Sequence, residues 1–348
     1  MLLHIQILRF IAATSVVAFH AWGVAPKYGA ALPEGIVSHL LSHGGHGVDL
    51  FFVISGFIIF YATHGSRLTP ADFLRRRVER IVPLYFVVIF IVAALALAIP
   101  ELFGEPGWYT PRHILKSLAF IAFTDGEMPV VYVGWSLEYE MYFYLAAALL
   151  MAFTRHPWRN IVALFSVLTV IGQMPGIAAM LGPYAFFTDP LILEFVLGVA
   201  LGHRVVTGRF DRPMVAAAIL AIANLLITDP GNRALTVGVP SACLVAGAVW
   251  LSRRRFQPSR FESALARLGD ASYSIYLAQV QTVSFACLLI VKFWPSIPPL
   301  LLIAFITAIV VAIGLALNII VERPLLRFCR SLGRRRLRDD IQMPSLRA

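Results

Sequence analysis

The chain has 348 residues, of which 59% are hydrophobic and 14% are charged, and it carries a formal net charge of +10. Soluble domains contain about 25% charged residues, so this composition excludes an ordinary soluble protein. It predicts an all-α polytopic membrane protein, because an α-helix satisfies its own backbone hydrogen bonds within lipid. The three cysteines are scattered without a CxxC pair, and we therefore expect no metal site.

Hydrophobic runs along the chain predict about ten membrane spans. The predicted spans cover residues 2–24, 47–63, 81–99, 134–153, 160–179, 188–206, 213–228, 234–252, 272–292 and 299–321. With the N-terminus in the cytoplasm, 23 of the 29 Lys and Arg residues fall in cytoplasmic segments and five fall outside. This asymmetry predicts that both termini are cytoplasmic. It also accounts for the net charge by topology and contact with anionic lipid, without a nucleic-acid partner.

We expect one transmembrane domain over residues 1–325 and a basic cytoplasmic tail over residues 326–348. The longest predicted outer segment covers residues 100–133 and contains several prolines. Its middle part, residues 114–123, is apolar but too short to cross a bilayer. This part is therefore expected to be interfacial or re-entrant.

The first span carries Arg9 and His20 within its apolar run. An Arg inside a bilayer helix costs about 2.5–3.5 kcal/mol, so it should face protein, water or a ligand. At about 100° per residue, positions eleven apart lie within roughly 20° of one helix face and about 16 Å apart along the axis. One helix face thus offers a cation and a titratable imidazole. The alternatives are an Arg9 that snorkels to the headgroups and a His20 that caps the interface.

Asp49 lies at the outer entrance of the second span. A carboxylate at this depth could pair with His20 and orient the imidazole. His43 and His46 precede it in the predicted outer loop, and we expect both to tolerate replacement.

Arg77 and Arg80 lie at the inner mouth of the third span, one helical turn apart. Two guanidinium groups at this spacing would present a fork to a phosphate. The alternative is ordinary basic flanking of a membrane span. In the second span, Ser55 and Gly56 are small residues that favour close helix packing.

The fourth span opens with Trp135 and two carboxylates, Glu138 and Glu140. Glu140 is the deeper of the two and needs a partner. Trp135 and Tyr139 could form a platform for a sugar or belong to an aromatic membrane belt.

Two further motifs lie at the predicted inner ends of the last two spans. The segment Leu268-Gly269-Asp270-Ala271-Ser272-Tyr273-Ser274-Ile275-Tyr276-Leu277-Ala278-Gln279 leads into the ninth span. Glu322 and Arg323 follow the tenth span, where they could pair or simply cap the helix end.

In this order, the motifs resemble those of the membrane-bound acyltransferase 3 family, and the branch that O-acetylates exopolysaccharides in particular. Arg9 with His20 resembles the family's Arg-ten residues-His motif, and the Arg77–Arg80 segment resembles its acyl-CoA motif. The fourth-span sequence that ends at Glu140 is similar to the family's Trp-Ser-Leu-x-x-Glu motif. The resemblance covers residues 1 to about 325. It departs from many members at Gln279, where they have a His, so acid–base chemistry is not expected there.

The resemblance implies transfer of an acyl group from cytosolic acyl-CoA, with acetyl-CoA as the expected donor. The acceptor would be a hydroxyl of an exopolysaccharide or lipid-linked glycan at the outer face of a bacterial inner membrane. His20 would be the general base or a transient acyl carrier. The expected site residues are His20, Asp49 and Glu140 for catalysis, Arg9, Arg77 and Arg80 for the donor, and Trp135 and Tyr139 for the acceptor.

A competing hypothesis is a non-enzymatic transporter or flippase of a lipid-linked glycan. Buried charges and basic loops suit both classes. Release of CoA from acetyl-CoA in the presence of glycan would separate the enzyme from the transporter. The oligomeric state is not predicted by the sequence.

Overall fold

The computed structural model describes residues 2–66, 68–99, 109–207, 233–253 and 257–331, and all regular secondary structure in these ranges is helical. The α-helices are α1 Leu3–Val24, α2 Gly35–Ser42, α3 Gly47–Thr63, α4 Pro70–Ala98, α5 Pro111–Leu118, α6 Trp135–Phe153, α7 Pro157–Gly172, α8 Ile177–Leu181, α9 Ile192–Val206, α10 Val239–Arg253, α11 Arg260–Asp270, α12 Ser272–Phe293 and α13 Pro299–Leu317. Short π-helical turns, Ala234–Gly238 and Asn318–Glu322, precede α10 and follow α13. The predicted all-α fold is confirmed.

Seven described segments are long and apolar enough to cross a membrane, which agrees with a polytopic membrane protein. They are Leu3–Tyr28, Gly35–Thr63, Pro70–Ala98, Ile177–Val206, Thr236–Arg253, Ser272–Phe293 and Pro299–Ser331. Of the other predicted spans, 134–153 corresponds to α6, whose polar first half lowers its hydropathy. The predicted span 160–179 is wrong in its bounds, because α7 is a 16-residue helix that ends at Gly172. The predicted span 213–228 lies outside the described residues, so the total of ten stays a prediction.

Helix α1 lies at the centre of the bundle. It contacts α2, α3, α10, α11, α12 and α13. Its buried side chains recur every three or four residues and include Ile5, Arg9 and Val16. This is the period expected of one helix face. The face that holds Arg9 is therefore turned towards protein, and its guanidinium does not snorkel to the headgroups.

Helices α3 and α9 cross closely at glycines. A Cβ atom on Gly56 would lie 2.1 Å from the Phe195 carbonyl oxygen, and one on Gly198 would lie 2.1 Å from the Val53 carbonyl oxygen. Small residues permit this kind of close approach between membrane helices. The predicted packing role of Gly56 is confirmed.

Helix α4 begins well before the predicted span 81–99. Its first residue is Pro70, and the Thr69 hydroxyl caps it by accepting a hydrogen bond from the Asp72 amide. Arg77 and Arg80 therefore lie on the same continuous helix as the apolar span. Helix α5, in the segment predicted to lie outside, has only 8 residues and cannot cross a bilayer.

Candidate active site

Four of the predicted site residues line a single cavity between α1, α3, α4, α6 and α12. We call it the arginine cavity; it encloses about 830 Å³, the solvent at its open mouth included. Its polar wall contains Arg9, Arg77, Arg80, Glu140, Ser55 and Ser272. Three guanidinium groups face one carboxylate here, so the cavity suits an anionic ligand.

Arg77 is held in place by two aromatic rings and keeps hydrogen-bonding capacity to spare. Its guanidinium carbon lies 5.7 Å from the ring centres of both Phe73 and Tyr144, and such cation–π contacts fix the orientation of the group. The Arg77 Nε atom is buried and has no hydrogen-bond partner. A buried donor without a partner is costly, and an anion in the cavity would supply one.

The carboxylate of Glu140 is hydrogen-bonded to two side chains. Its Oε1 atom accepts a hydrogen bond from Ser55 at 3.0 Å and another from the Tyr144 hydroxyl. Glu140 thus sits among the arginines and not beside His20. It offsets part of their positive charge and fixes the wall that carries Arg77.

Arg9 is fixed by a relay that ends on the neighbouring helix α11. Arg9 Nη1 donates to Gln6 Oε1 at 3.2 Å, and Gln6 Nε2 donates to Asp270 Oδ1 at 2.5 Å. Arg9 is only 8% exposed. Arg9 thus lines the cavity while one edge of its guanidinium is fixed to protein.

His20 lines a second space, the histidine chamber, about eleven residues further along α1. The chamber is also lined by His46, Val48, Trp135, Arg233 and Tyr276. The His20 ring packs edge-on against Phe19 and Tyr132, with ring centres 5.1 Å apart in each pair. His20 Nδ1 is buried and has no hydrogen-bond partner. The imidazole is thus positioned by ring packing rather than by a carboxylate.

Only one layer of side chains divides the histidine chamber from the arginine cavity. Val48 and Tyr276 line both spaces. The Tyr276 hydroxyl donates to the Val133 carbonyl at 3.0 Å and lies 2.8 Å from Ser136 Oγ. The two spaces are therefore stacked along α1, with Arg9 at one level and His20 at the other.

The predicted pairing of Asp49 with His20 is wrong. Asp49 is fully buried, and its two oxygens accept hydrogen bonds from Arg233 Nε and Nη2, both at 2.8 Å. His46 Nδ1 lies 3.6 Å from Asp49 Oδ2. Arg233 gives a bidentate contact that an imidazole cannot match. Asp49 thus holds Arg233, which lines the chamber. His46 also lines the chamber, at the end of a short helical turn, and its tolerance of replacement stays a prediction.

The predicted acceptor residues Trp135 and Tyr139 line a third space, the aromatic cleft, together with Phe123, Glu127 and Phe186. Trp135 borders both this cleft and the histidine chamber. The Tyr139 hydroxyl donates to Asp189 Oδ2 at 2.9 Å, so this ring is fixed by protein.

Glu138 also lines the aromatic cleft. It is 3% exposed and accepts a hydrogen bond from the Ala122 amide at 2.7 Å. At the rim, Lys116 donates to Thr124 Oγ1 at 3.0 Å and to Asp125. The hydrogen bond from Lys116 lowers the pKa of the Asp125 carboxyl below its ordinary value. The loop that carries Phe123 is therefore tied to α5.

The two motifs near the inner ends of the last spans are structural partners of one another. Glu322 Oε2 accepts hydrogen bonds from Ser274 at 2.5 Å and Asn318 at 2.7 Å, so its main partners are these side chains and not Arg323. Gln279 is fully buried and donates to the Tyr276 carbonyl at 2.9 Å. Gln279 therefore bonds to the backbone of the α12 turn that carries Tyr276 and lines neither space.

Sequence reasoning missed Arg233, Ser272 and the fully buried Glu194, which lies against the Asp49–Arg233 pair. Arg233 was counted only as one of five external cations, and Ser272 only as part of a motif. Their neighbours are far away in sequence, so no local pattern could have identified them. The sequence alone offered one signal, which is the acidic residue Glu194 within an apolar run.

The fold and the site define a helical membrane protein whose interior holds an arginine-lined cavity next to a histidine chamber. The family follows from comparison with known sequences. The model of the acyltransferase 3 family, described as an acyltransferase domain, matches residues 2–319. The chain belongs to this family, and it is an acyltransferase, as its motifs predicted.

Two relatives illustrate the family. The exopolysaccharide production protein ExoZ of Rhizobium meliloti (strain 1021) is 34% identical over 304 residues, which cover 83% of this chain and 92% of ExoZ. The O-acetyltransferase OatA of Staphylococcus aureus (strain NCTC 8325 / PS 47) is 28% identical over 197 residues, which cover 48% of this chain and 32% of OatA. No solved structure matches the chain.

Proposed function

We propose that this acyltransferase moves an acetyl group from cytosolic acetyl-CoA to a hydroxyl of an exopolysaccharide or lipid-linked glycan at the outer face of a bacterial inner membrane. The observation that carries the proposal is the stacking of the arginine cavity and the histidine chamber along α1. A donor with phosphates at one end and a thioester at the other fits such an arrangement. The names of ExoZ and OatA support the glycan acceptor and the acetyl group.

The donor phosphates bind in the arginine cavity in this proposal. Arg77 offers a buried Nε atom without a partner, Arg80 adds positive charge on the same α4 wall, and Arg9 adds it on the α1 wall. Guanidinium groups are well suited to phosphate because they form paired, charge-assisted hydrogen bonds. Glu140 prevents the three cations from repelling one another fully in the absence of donor.

The reaction itself takes place in the histidine chamber in this proposal. His20 accepts the proton of the glycan hydroxyl while the hydroxyl oxygen attacks the thioester carbon. A C–O bond forms, the C–S bond breaks, and the sulfur of CoA leaves and takes up the proton from His20. The Nδ1 atom without a partner gives His20 the capacity to accept a proton. Trp135, at the border between chamber and aromatic cleft, contacts the acceptor.

The orientation predicted from the sequence agrees with the proposed direction of transfer. The excess of Lys and Arg in the predicted cytoplasmic segments supports an orientation with Arg77 and Arg80 on the cytosolic side, where acetyl-CoA is found. His20 then lies nearer the outer face, and so does the aromatic cleft. A transporter of glycan would need neither a phosphate-binding cavity on the opposite side nor membership of an acyltransferase family.

The test is release of CoA by the purified protein in nanodiscs, supplied with acetyl-CoA and an oligosaccharide of the host's exopolysaccharide. The proposal predicts acceptor-dependent release of CoA and a gain in mass of one acetyl group on the oligosaccharide. Arg77→Ala should raise the KM for acetyl-CoA at least tenfold, since hydrogen bonds to charged groups contribute about 1.5–3 kcal/mol. Arg76→Ala is the matched control, because Arg76 lies next to it on α4 but is exposed.

Absence of acceptor-dependent CoA release under these conditions would overturn the proposal. Equal increases in KM from Arg77→Ala and Arg76→Ala would mean that general charge near the membrane, and not the arginine cavity, governs use of the donor.

A further inference from the structure

One wall of the arginine cavity has no assigned role in the proposed reaction. It is the start of α12, where Ser272 is the first helical residue. Ser272 is fully buried, yet its Oγ atom has no hydrogen-bond partner. A buried hydroxyl without a partner costs stability. A ligand in the cavity that bonds to the Ser272 hydroxyl would remove this cost.

The backbone of the same helix end offers further donors. The Ile275 amide donates to the Ala271 carbonyl at 2.9 Å, so the amides of the three residues before it begin the helix. The first amides of an α-helix have no partner within the helix. They also carry the positive end of the helix dipole, and together these features favour an anion such as phosphate.

Two close contacts bring this helix end to Arg9. A Cβ atom on Gly269 would lie 1.9 Å from the Gln6 carbonyl oxygen, so only glycine lets the end of α11 lie this close to α1. The hydrogen bond from Gln6 to Asp270 then ties the two helices together, and Gln6 in turn accepts from Arg9. The segment 268–272 therefore brings a second group of donors to the arginine cavity, besides the one on α4.

We propose that Ser272 Oγ, the first amides of α12 and Arg9 bind one phosphate of the donor's pyrophosphate, while Arg77 and Arg80 on α4 bind the other. This inference rests on the proposed acyl-CoA donor and assigns a part of it to a named subsite. Two joined phosphates offer more acceptor oxygens than one group of donors can satisfy, and the arginine cavity has one group of donors on α4 and another at the start of α12. A single phosphate would leave one of the two groups unused.

The test compares Ser272→Ala with the wild-type protein in phospholipid-free detergent, by equilibrium binding of three donors. Acetyl-CoA and its dephospho form, which lacks the 3′-phosphate, should both bind roughly tenfold more weakly to the variant, since a hydrogen bond to a charged group is lost. S-acetyl-pantetheine has no phosphate and should bind both proteins equally. Ser284→Ala is the matched control, because Ser284 lies on the same helix but lines another cavity.

Unchanged affinity of Ser272→Ala for acetyl-CoA would overturn the inference. An equal loss for S-acetyl-pantetheine would do the same, because it would assign Ser272 to the thioester end. Weaker binding of acetyl-CoA with unchanged binding of the dephospho form would mean that Ser272 contacts the 3′-phosphate. This result would also contradict the inference.

Two further measurements distinguish failure of the proposed phosphate subsite from failure of the proposed acyl-CoA donor. Inorganic pyrophosphate should bind the wild-type protein more tightly than Ser272→Ala, even if the wild-type protein binds no acetyl-CoA and the proposed function fails. In phosphatidylglycerol nanodiscs, the number of lipids retained after extraction should not differ between the two proteins. A difference in retained lipid with equal binding of pyrophosphate would assign the wall to a lipid headgroup instead.

Discussion

The contact between Asp49 and Arg233 permits a quantitative test of how the histidine chamber is built. Asp49 is fully buried, and both of its oxygens are bonded to Arg233 at 2.8 Å, while 39% of the Arg233 side chain remains exposed. Removing one partner of a buried ion pair costs about 3–5 kcal/mol, because the other charge is left without compensation. The exposure of Arg233 lowers this cost, so we expect Arg233→Gln to destabilise the protein by about 3 kcal/mol.

Asp49→Asn should cost less, about 1–2 kcal/mol, because a neutral amide leaves no buried charge. The double variant should be more stable than the sum of the two single effects predicts, with a coupling of about 1–3 kcal/mol. The assay is reversible unfolding by SDS in mixed micelles, followed by tryptophan fluorescence, on all four proteins. Single effects that add within about 0.5 kcal/mol would refute the reasoning, because residues that do not interact are additive.

Two other predictions concern packing and topology. In the same SDS titration, Gly56→Ala should destabilise the protein by about 1–3 kcal/mol through overpacking against α9. Gly247→Ala is the control, because a Cβ atom there meets nothing within 4 Å, and it should be neutral or slightly stabilising. Equal effects of the two substitutions would contradict the close crossing of α3 and α9. A reporter fused after Ala348 should be cytoplasmic and one inserted at Gly126 should be external, and reversal of either result would overturn the predicted orientation.

Local sequence patterns predicted much of the fold because membrane helices are defined by their own hydrophobicity. Span 47–63 coincides with α3, and span 272–292 differs from α12 by one residue. The bounds failed where polar or breaking residues decide the helix ends. Thr69 and Pro70 start α4 early, and α7 is short.

The candidate site was predictable only where its residues share a helix or a familiar motif. Arg9 and His20 follow from the helical period, and Arg77 and Arg80 from their spacing. The partner of Asp49 is 184 residues away. Only the tertiary structure could therefore show that Asp49 pairs with Arg233 and not with His20. Ser272 looked like an ordinary small residue, because its free hydroxyl and its place in the cavity wall are visible only in three dimensions.

The central claim is that His20 takes the proton of the acceptor, and turnover of His20→Gln tests it most directly. The amide keeps hydrogen bonding but cannot accept a proton, and a general base contributes about 10²–10⁴-fold. His43→Gln is the matched control, since His43 lies near the chamber but does not line it.

The measurement is acceptor-dependent CoA release in nanodiscs with the amounts of folded protein matched. The account predicts that His20→Gln loses at least about 10²-fold in kcat, binds acetyl-CoA with wild-type affinity, and contrasts with a fully active His43→Gln. Near-normal turnover of His20→Gln would contradict the account and leave His20 as a packing residue.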